Sequence, residues 1–554
     1  MNKMRVLAIT STSISLLAIT LLAMGKGTTQ SAPISQSAAN RTPAIGRRVN
    51  TSSRPKAALQ SSSQVSIDSS LPENPKQLEQ IRSHLNAQRQ TFAVRQGSSQ
   101  IDKAVGRTSG GPVPSAATLN RTFEGFSATG WNPPDPIMAA GPSDLIVSVN
   151  SSWRIYNKTG GQLFDSTLSS WFSNVLPSDQ SGIRVFDPWV IYDRDGGRFI
   201  LLALAKRDSD KFSRFLISVS DNNTATGNWC NWSLDAKVNG STNTDNWADY
   251  TKVGNNNNAI ILSANMFAFG GGFQYSKLRF LPKAALYNTN CPGVGWWDEW
   301  NLKNADNSTA FTIQPAHSYN SSNTDYLVNT TSSGSGDKLT LWKATNNSNS
   351  DPRPTLTRSA TLNVGSYAVP PLAEQPGTST RLNTGDARLL NAVWRGGGLW
   401  TTHSTACSFS GDPTTRSCLR YYQINPDTGT VLQNLTWGAS GSYYYYPAIT
   451  ADPSNNAWLV FNRSSSTEYA SIRHTARRGT DPANSLQGSA QLRAGQGCYI
   501  GLDSIGRNRW GDYNGMAWDP STGGAWIFSE FAYGTSSDCG SNVWRTQIGE
   551  LAKP

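Results

Sequence analysis

The sequence predicts an all-β fold: a single β-propeller, best read as seven four-stranded blades, behind a low-complexity N-terminal tail. Three observations predict it. The 554-residue chain is sparse in charge (15%) and rich in Gly (48), Trp (19), Tyr (18) and Phe (18). That composition suits short strands and tight turns better than helices. From residue 120 onward a polar-then-apolar unit recurs at intervals of roughly 50 to 70 residues, enough for one four-stranded sheet each. No long helical spacing of apolar residues interrupts that stretch.

The chain opens with Lys3 and Arg5, followed by the apolar run Val6 to Met24. A positive flank before an apolar stretch is the layout of a secretory signal, expected over residues 1–32. An uncleaved membrane anchor is the alternative. Residues 33–118 read as a basic low-complexity tail, too poor in apolar surface to offset its ordering entropy. Within it, residues 75–96 place Leu78, Ile81, Leu85 and Phe92 at near-helical spacing, which predicts a short amphipathic helix. Residues 119–554 form the expected propeller.

The repeat is read from its starts. Asp135-Pro136 leads to an apolar strand at 145–149, and Asp187-Pro188 to one at 199–203. Asp249-Tyr250 leads to 259–263 and Gln314-Pro315 to 326–328. Gln375-Pro376, after an insertion, leads to 399–402. Tyr446-Pro447 leads to 458–461 and Asp512-Tyr513 to 526–528. Asp-Arg-Asp-Gly-Gly (193–197) and Asp-Pro-Ser-Thr-Gly-Gly (519–524) are hairpin signals between these strands.

Charge and cysteines bound the function. Residues 1–118 carry 14 Lys or Arg against 4 Asp or Glu, and the remainder 34 against 33. Nearly all of the net charge of +11 therefore belongs to the signal and tail, which removes the main argument for nucleic acid. The six cysteines all lie in the part expected to be exported, so disulfides are the default. Cys407 with Cys418, Cys498 with Cys539, and Cys230 with Cys291 are the expected pairs among fifteen connectivities.

Phe186-Asp-Pro-Trp-Val-Ile-Tyr-Asp-Arg-Asp-Gly-Gly-Arg-Phe199 resembles a blade opening of the sialidase-like propellers. Ser218-Val-Ser-Asp-Asn-Asn-Thr-Ala-Thr-Gly-Asn-Trp229 resembles a degenerate Asp-box of that superfamily. Arg509 to Pro520 resembles the last blade of secreted bacterial members. The resemblance implies a propeller over residues 120–551. The Arg-Ile-Pro motif that opens the arginine clamp of true sialidases does not occur, so no sialidase catalytic residue is carried over.

If the seven starts are equivalent, they place Asp135, Asp187, Asp249, Gln314, Gln375, Tyr446 and Asp512 in one ring at a channel mouth, with Glu374 and Tyr513 beside it. These are the expected ligand-binding residues. Converging carboxylates repel, so a cation, protonation or hydrogen bonds must offset them. Asp135, Asp187, Asp249 and Asp512 are candidate ligands for Ca²⁺, a hard oxygen-seeking ion. Capping of blade turns, or bonding to the neighbouring blade, is the structural alternative. Carboxylates, amides and aromatic faces together also suit sugar hydroxyls. The expected function is a secreted or cell-surface module, monomeric, binding an extracellular glycan or protein, with no membrane span in the mature chain. The alternative is a glycan-active hydrolase, for which Asp187, Asp512 and Glu530 are the candidate acids. No phosphate loop, nucleophile elbow or dinucleotide fingerprint is present.

Overall fold

A computed structural model describes residues 34–40, 42–53, 66–67, 99–101, 116–534, 539 and 544–554. The signal segment and the helix expected over 75–96 lie outside the described residues. Seven antiparallel sheets follow one another around a ring, and the fold is the expected seven-bladed propeller.

Each blade runs outward from a strand beside the central channel. Blade 1 holds Ile137–Ala140, Asp144–Val149, Ser152–Asn157 and Gln162–Thr167. Blade 2 holds Arg184–Asp193, Arg198–Arg207, Phe212–Ser220 and Asn228–Asp235. Blade 3 holds Asn246–Asn255, Ala259–Ala268, Phe273–Pro282 and Trp297–Trp300. Blade 4 holds Gln314–Pro315, Thr324–Thr330, Gly336–Thr345 and Thr355–Tyr367. Blade 5 holds Asn391–Arg395, Gly398–Cys407, Arg416–Asn425 and Thr430–Gly438. Blade 6 holds Tyr443–Ala451, Ala457–Ser465, Glu468–Arg477 and Ala490–Arg493.

Blade 7 closes the ring. Its inner three strands, Gly515–Trp518, Ala525–Ala532 and Trp544–Leu551, come from the C-terminal end, and its outer strand, Leu119–Ser127, from the start of the domain. Pairing the two ends of the domain in one sheet removes the open edge that the last blade would otherwise present.

The segment read as part of a low-complexity tail also contributes strands. Gln36–Ala39 pairs with Trp297–Trp300 as a fifth strand of blade 3. Arg47–Asn50 pairs with 228–231 as a fifth strand of blade 2. Small and polar side chains suffice here, because an edge strand gains its stability from main-chain hydrogen bonds.

The core lies between blades. Trp153, Trp171 and Trp229 are fully buried where blades 1 and 2 meet, with ring centroids 4.8 to 6.0 Å apart in edge-to-face contact. Each such aromatic pair contributes about 1 kcal/mol beyond its area. This explains the abundance of Trp in the sequence. Three disulfides form, Cys230–Cys291, Cys407–Cys418 and Cys498–Cys539, as expected.

Candidate functional site

The channel has two ends. At one, loops deliver the chain into each inner strand; at the other, each inner strand turns back through a hairpin. The loop end collects the polar residues that the repeat suggested.

Its geometry follows from a recurring backbone feature. Two residues before the first paired position of the inner strand, or in blades 2, 3 and 6 before the position where pairing resumes after a register shift, stand Asp135, Asp187, Tyr250, Thr312, Leu389, Tyr446 and Tyr513. Asp135, Asp187, Tyr250, Thr312 and Tyr446 have φ of 49°, 49°, 54°, 51° and 49°. In blades 2, 3 and 6 the register shifts at this point, which is a β-bulge. A bulge leaves a backbone N–H without its ladder partner, and a buried N–H needs an acceptor.

The neighbouring blade supplies that acceptor. Asp187 N donates to Asn150 Oδ1 at 2.8 Å, and Tyr250 N to Asp187 Oδ2 at 2.9 Å. Thr312 N donates to Asn265 Oδ1 at 2.8 Å and Tyr446 N to Ser404 Oγ at 3.1 Å. Asp512 N donates to Asp135 Oδ1 at 2.8 Å, latching blade 7 to blade 1. Two of the acids of the ring, Asp135 and Asp187, are therefore acceptors of inter-blade latches.

The expected ring needs correction at four positions. Asp249 and Asp512 stand one residue before the bulge position, which Tyr250 and Tyr513 take. Gln314 stands two residues after it, and its Nε2 donates to Leu389 O at 2.6 Å to join blade 4 to blade 5. Gln375 is not in the inner strand of blade 5. It is buried in the long loop before that strand, bonded to Tyr499 N and O at 2.8 Å each. Glu374 beside it is ion-paired to Arg381 at 2.9 Å. The repeat was aligned on polar–Pro and polar–Tyr pairs, whereas the strand register is set by which side chains the pleat buries.

The acids that do converge are Asp135, Asp187 and Asp512. Burial, then the charges of Asp512 and Asp187, raise the Asp135 carboxyl well above the usual range. Burial acts on Asp512 in the same sense, but Arg509, Arg388 and Arg507 outweigh it and lower that carboxyl. Arg509 Nη2 lies 2.7 Å from Asp512 Oδ2. Glu530 is fully buried one strand outward, close behind Gly511, and both its carboxyl oxygens lack a hydrogen-bond partner. Burial raises it well above the usual range.

The residue that sequence reasoning missed is Lys252. Its ammonium is buried among three aromatic faces, 3.6 Å from the ring centre of Tyr250 and 4.2 Å from those of Trp189 and Tyr513. Nζ donates to Thr251 O at 3.1 Å. Burial lowers its pKa to about 7, although Asp187, Asp512 and Asp135 all pull the other way. A lysine two residues after the Asp249-Tyr250 start, within the inner strand Asn246–Asn255, was the signal available. Among the described residues, no group of three or more His, Cys, Asp or Glu is placed to hold a metal ion. The calcium expected at Asp135, Asp187, Asp249 and Asp512 has no such cage: Lys252, Arg509 and backbone N–H groups supply the positive charge instead.

Facing outward from this buried layer are Asp512, Asp386 and Arg388, each partly exposed. Arg388 grips Asp386 through Nε at 2.8 Å and Nη2 at 2.6 Å. Its guanidinium lies over the rings of Tyr250 at 4.7 Å and Phe311 at 4.8 Å. Tyr446 completes the wall, with its Oη donating to Asn383 Oδ1 at 3.3 Å.

No protein-family model matches this chain, and no curated protein matches it. Among solved structures it is similar to a Hadza microbial sialidase, Hz136, at 12% identity over 76% of this chain and 65% of that one, with a TM-score of 0.35. It is similar to a Penicillium chrysogenum α-L-arabinanase complexed with arabinobiose at 10% identity, covering 80% and 99%, TM-score 0.31. It is also similar to Drosophila Plexin A in complex with Semaphorin 1b at 7% identity, covering 79% and 88%, TM-score 0.31. Superposition this loose assigns neither a family nor an activity.

Proposed function

We propose that this chain is an exported glycan-binding propeller that holds a neutral, polyhydroxylated ligand at the loop end of its channel. One observation carries the reading. The partly exposed groups there, Asp512, Asp386 and Arg388, are balanced in charge once Arg509, paired to Asp512, is counted, and Arg388 stands over Tyr250 and Phe311. Paired carboxylate and guanidinium groups accept from and donate to vicinal hydroxyls. A charged ligand would have to break one of the ion pairs, which disfavours it. The three disulfides support export, since such bonds persist in oxidising compartments.

A hydrolase reading has one observation in its favour: Asp135 and Asp512 are neighbours whose proton affinities are pushed in opposite directions. That is the arrangement an acid and a carboxylate need. Asp135 is nonetheless spent on Asn150 and Asp512 N, so binding without turnover is the favoured function.

A glycan array followed by calorimetry tests both. Binding of a neutral glycan that falls at least tenfold in Asp512→Asn and Arg388→Ala, with no product released, is the expected result. Glycan hydrolysis abolished by Asp512→Asn with folding intact overturns the binding-only reading. Absence of glycan binding on the array refutes the proposal as a whole.

A further inference from the structure

We propose that the N-terminal strands Gln36–Ala39 and Arg47–Asn50 form a releasable strap over the Cys230–Cys291 disulfide, and that a thiol reductant reaches those sulfurs only when the strap lifts. This device is separate from the glycan reading and does not depend on it.

The strap and the disulfide join the same two blades. Cys230 lies in the outer strand of blade 2, Asn228–Asp235, and Cys291 in the loop that leads to the outer strand of blade 3, Trp297–Trp300. Arg47–Asn50 pairs beside the first of these strands and Gln36–Ala39 beside the second. Between the two pairings the chain follows the Cys291 loop. Asn40 N donates to Trp296 O at 2.8 Å, and Ala44 and Val294 exchange backbone hydrogen bonds at 2.8 and 2.9 Å. A Cβ on Gly46 would stand 2.5 Å from Cys291 O and from Trp232 Nε1, so the strap lies directly on the disulfide loop.

Arg48 covers the sulfurs. It stands opposite Cys230 in register. Opposed residues of an antiparallel pair share one face of the sheet, so the two side chains project to the same side. Arg48 Nη1 donates to Thr289 O at 3.0 Å, and that carbonyl oxygen lies 3.8 Å from both sulfurs. Arg48 Nη2 is ion-paired to Asp221. With the strap in place Cys230 is 2% exposed and Cys291 8%.

The strap is held lightly. Among the described residues of 34–53 only Val49 is buried. The rest of the hold is main-chain pairing, the Arg48 contacts and polar bonds such as Asn50 Nδ2 to Asn228 Oδ1 at 2.6 Å. An edge strand with one buried side chain opens locally at a small fraction of the cost of unfolding the domain. Thiol–disulfide exchange requires a thiolate to reach one sulfur. The incoming thiolate bonds to one Sγ and the other Sγ leaves as thiolate. The second thiol of a dithiol then displaces the first cysteine. The dithiol ends as a cyclic disulfide, and the chain gains two thiols and loses its crosslink between blades 2 and 3.

The experiment is reduction of the full chain by dithiothreitol under native conditions, with released thiols alkylated and each cysteine pair followed by mass spectrometry. Hydrogen exchange over 36–39 and 47–50 reports whether the strap is in place. Gly46→Ala should remove the exchange protection of 47–50 and speed reduction of Cys230–Cys291 about tenfold or more, leaving Cys407–Cys418 unchanged. Arg48→Ala, at a half-exposed side chain, should speed it about threefold or more. A released strap with an unchanged Cys230–Cys291 rate overturns the proposal. Equal acceleration of Cys407–Cys418 means general loosening of the fold and also overturns it. An Arg48→Ala chain reduced at the native rate overturns it even if Gly46→Ala does not fold.

Discussion

Replacing Lys252 by Met tests the account of the channel most directly. The two side chains have similar length and volume, so the change removes a charge and leaves little cavity. In the native chain the ammonium is enclosed by Trp189, Tyr250 and Tyr513, and burial lowers its pKa to about 7. In the unfolded chain a Lys titrates near 10.4. Between pH 7 and 10 the unfolded chain therefore holds a proton that the folded chain has released. Stability contributed by this group rises with pH through that window and is flat below it. Each pH unit is worth about 1.4 kcal/mol, so the native protein should gain about 2 kcal/mol between pH 7 and pH 9 from Lys252 alone. Lys277, also lowered to about 7, contributes similarly to both proteins and cancels in their difference. Urea denaturation of the two proteins from pH 6 to 9 measures that difference. Lys252→Met should be the more stable protein at pH 6, with the advantage shrinking by about 2 kcal/mol by pH 9. A stability difference that stays constant from pH 7 to 9 would show that the aromatic cage does not desolvate the ammonium, and would refute the reasoning.

Two further outcomes follow from the latches and the disulfides. Asn150→Ala removes the acceptor of Asp187 N and the donor to Asp135 Oδ2, so it should cost about 2 to 4 kcal/mol in urea denaturation, out of proportion to a loop substitution. Replacing Cys230 and Cys291 together by Ala opens a crosslink between residues 61 apart, and chain entropy sets the loss at about 4 kcal/mol, read from the shift in denaturation midpoint.

The architecture was legible because each blade repeats one local pattern. A strand such as Phe199 to Ala203 is apolar throughout, because both its faces are buried between blades. The turn residues at 193–197 and 519–524 fall in the hairpins they predicted. Closure by Leu119–Ser127 and the added strands Gln36–Ala39 and Arg47–Asn50 were not legible. These segments owe their conformation to main-chain pairing with strands up to several hundred residues away, and no local pattern encodes it.

The site was legible in kind but misplaced in register. Asp135, Asp187 and Tyr446 share one position with φ near 50°, a conformation that Asp tolerates better than most residues. Asp249 and Asp512 fell one residue short. In an Asp-Tyr pair the sequence does not say which of the two turns into the channel, and here the Tyr does. That substitution changes the electrostatics of the whole mouth. Tyr250 and Tyr513 bring aromatic faces to the buried layer while Asp512 stays at the rim, and those faces are what hold Lys252. An acid ring of the expected size would have needed a cation, protonation or hydrogen bonds to offset its repulsion. With Tyr at two positions of the buried layer, Lys252 and Arg509 are cations that face the acids, and Asp135 and Asp187 serve as acceptors for backbone N–H groups of the neighbouring blades. The charge left at the rim is then that of Asp512 and Asp386, each paired to an arginine, and this pairing is the ground for proposing a neutral ligand.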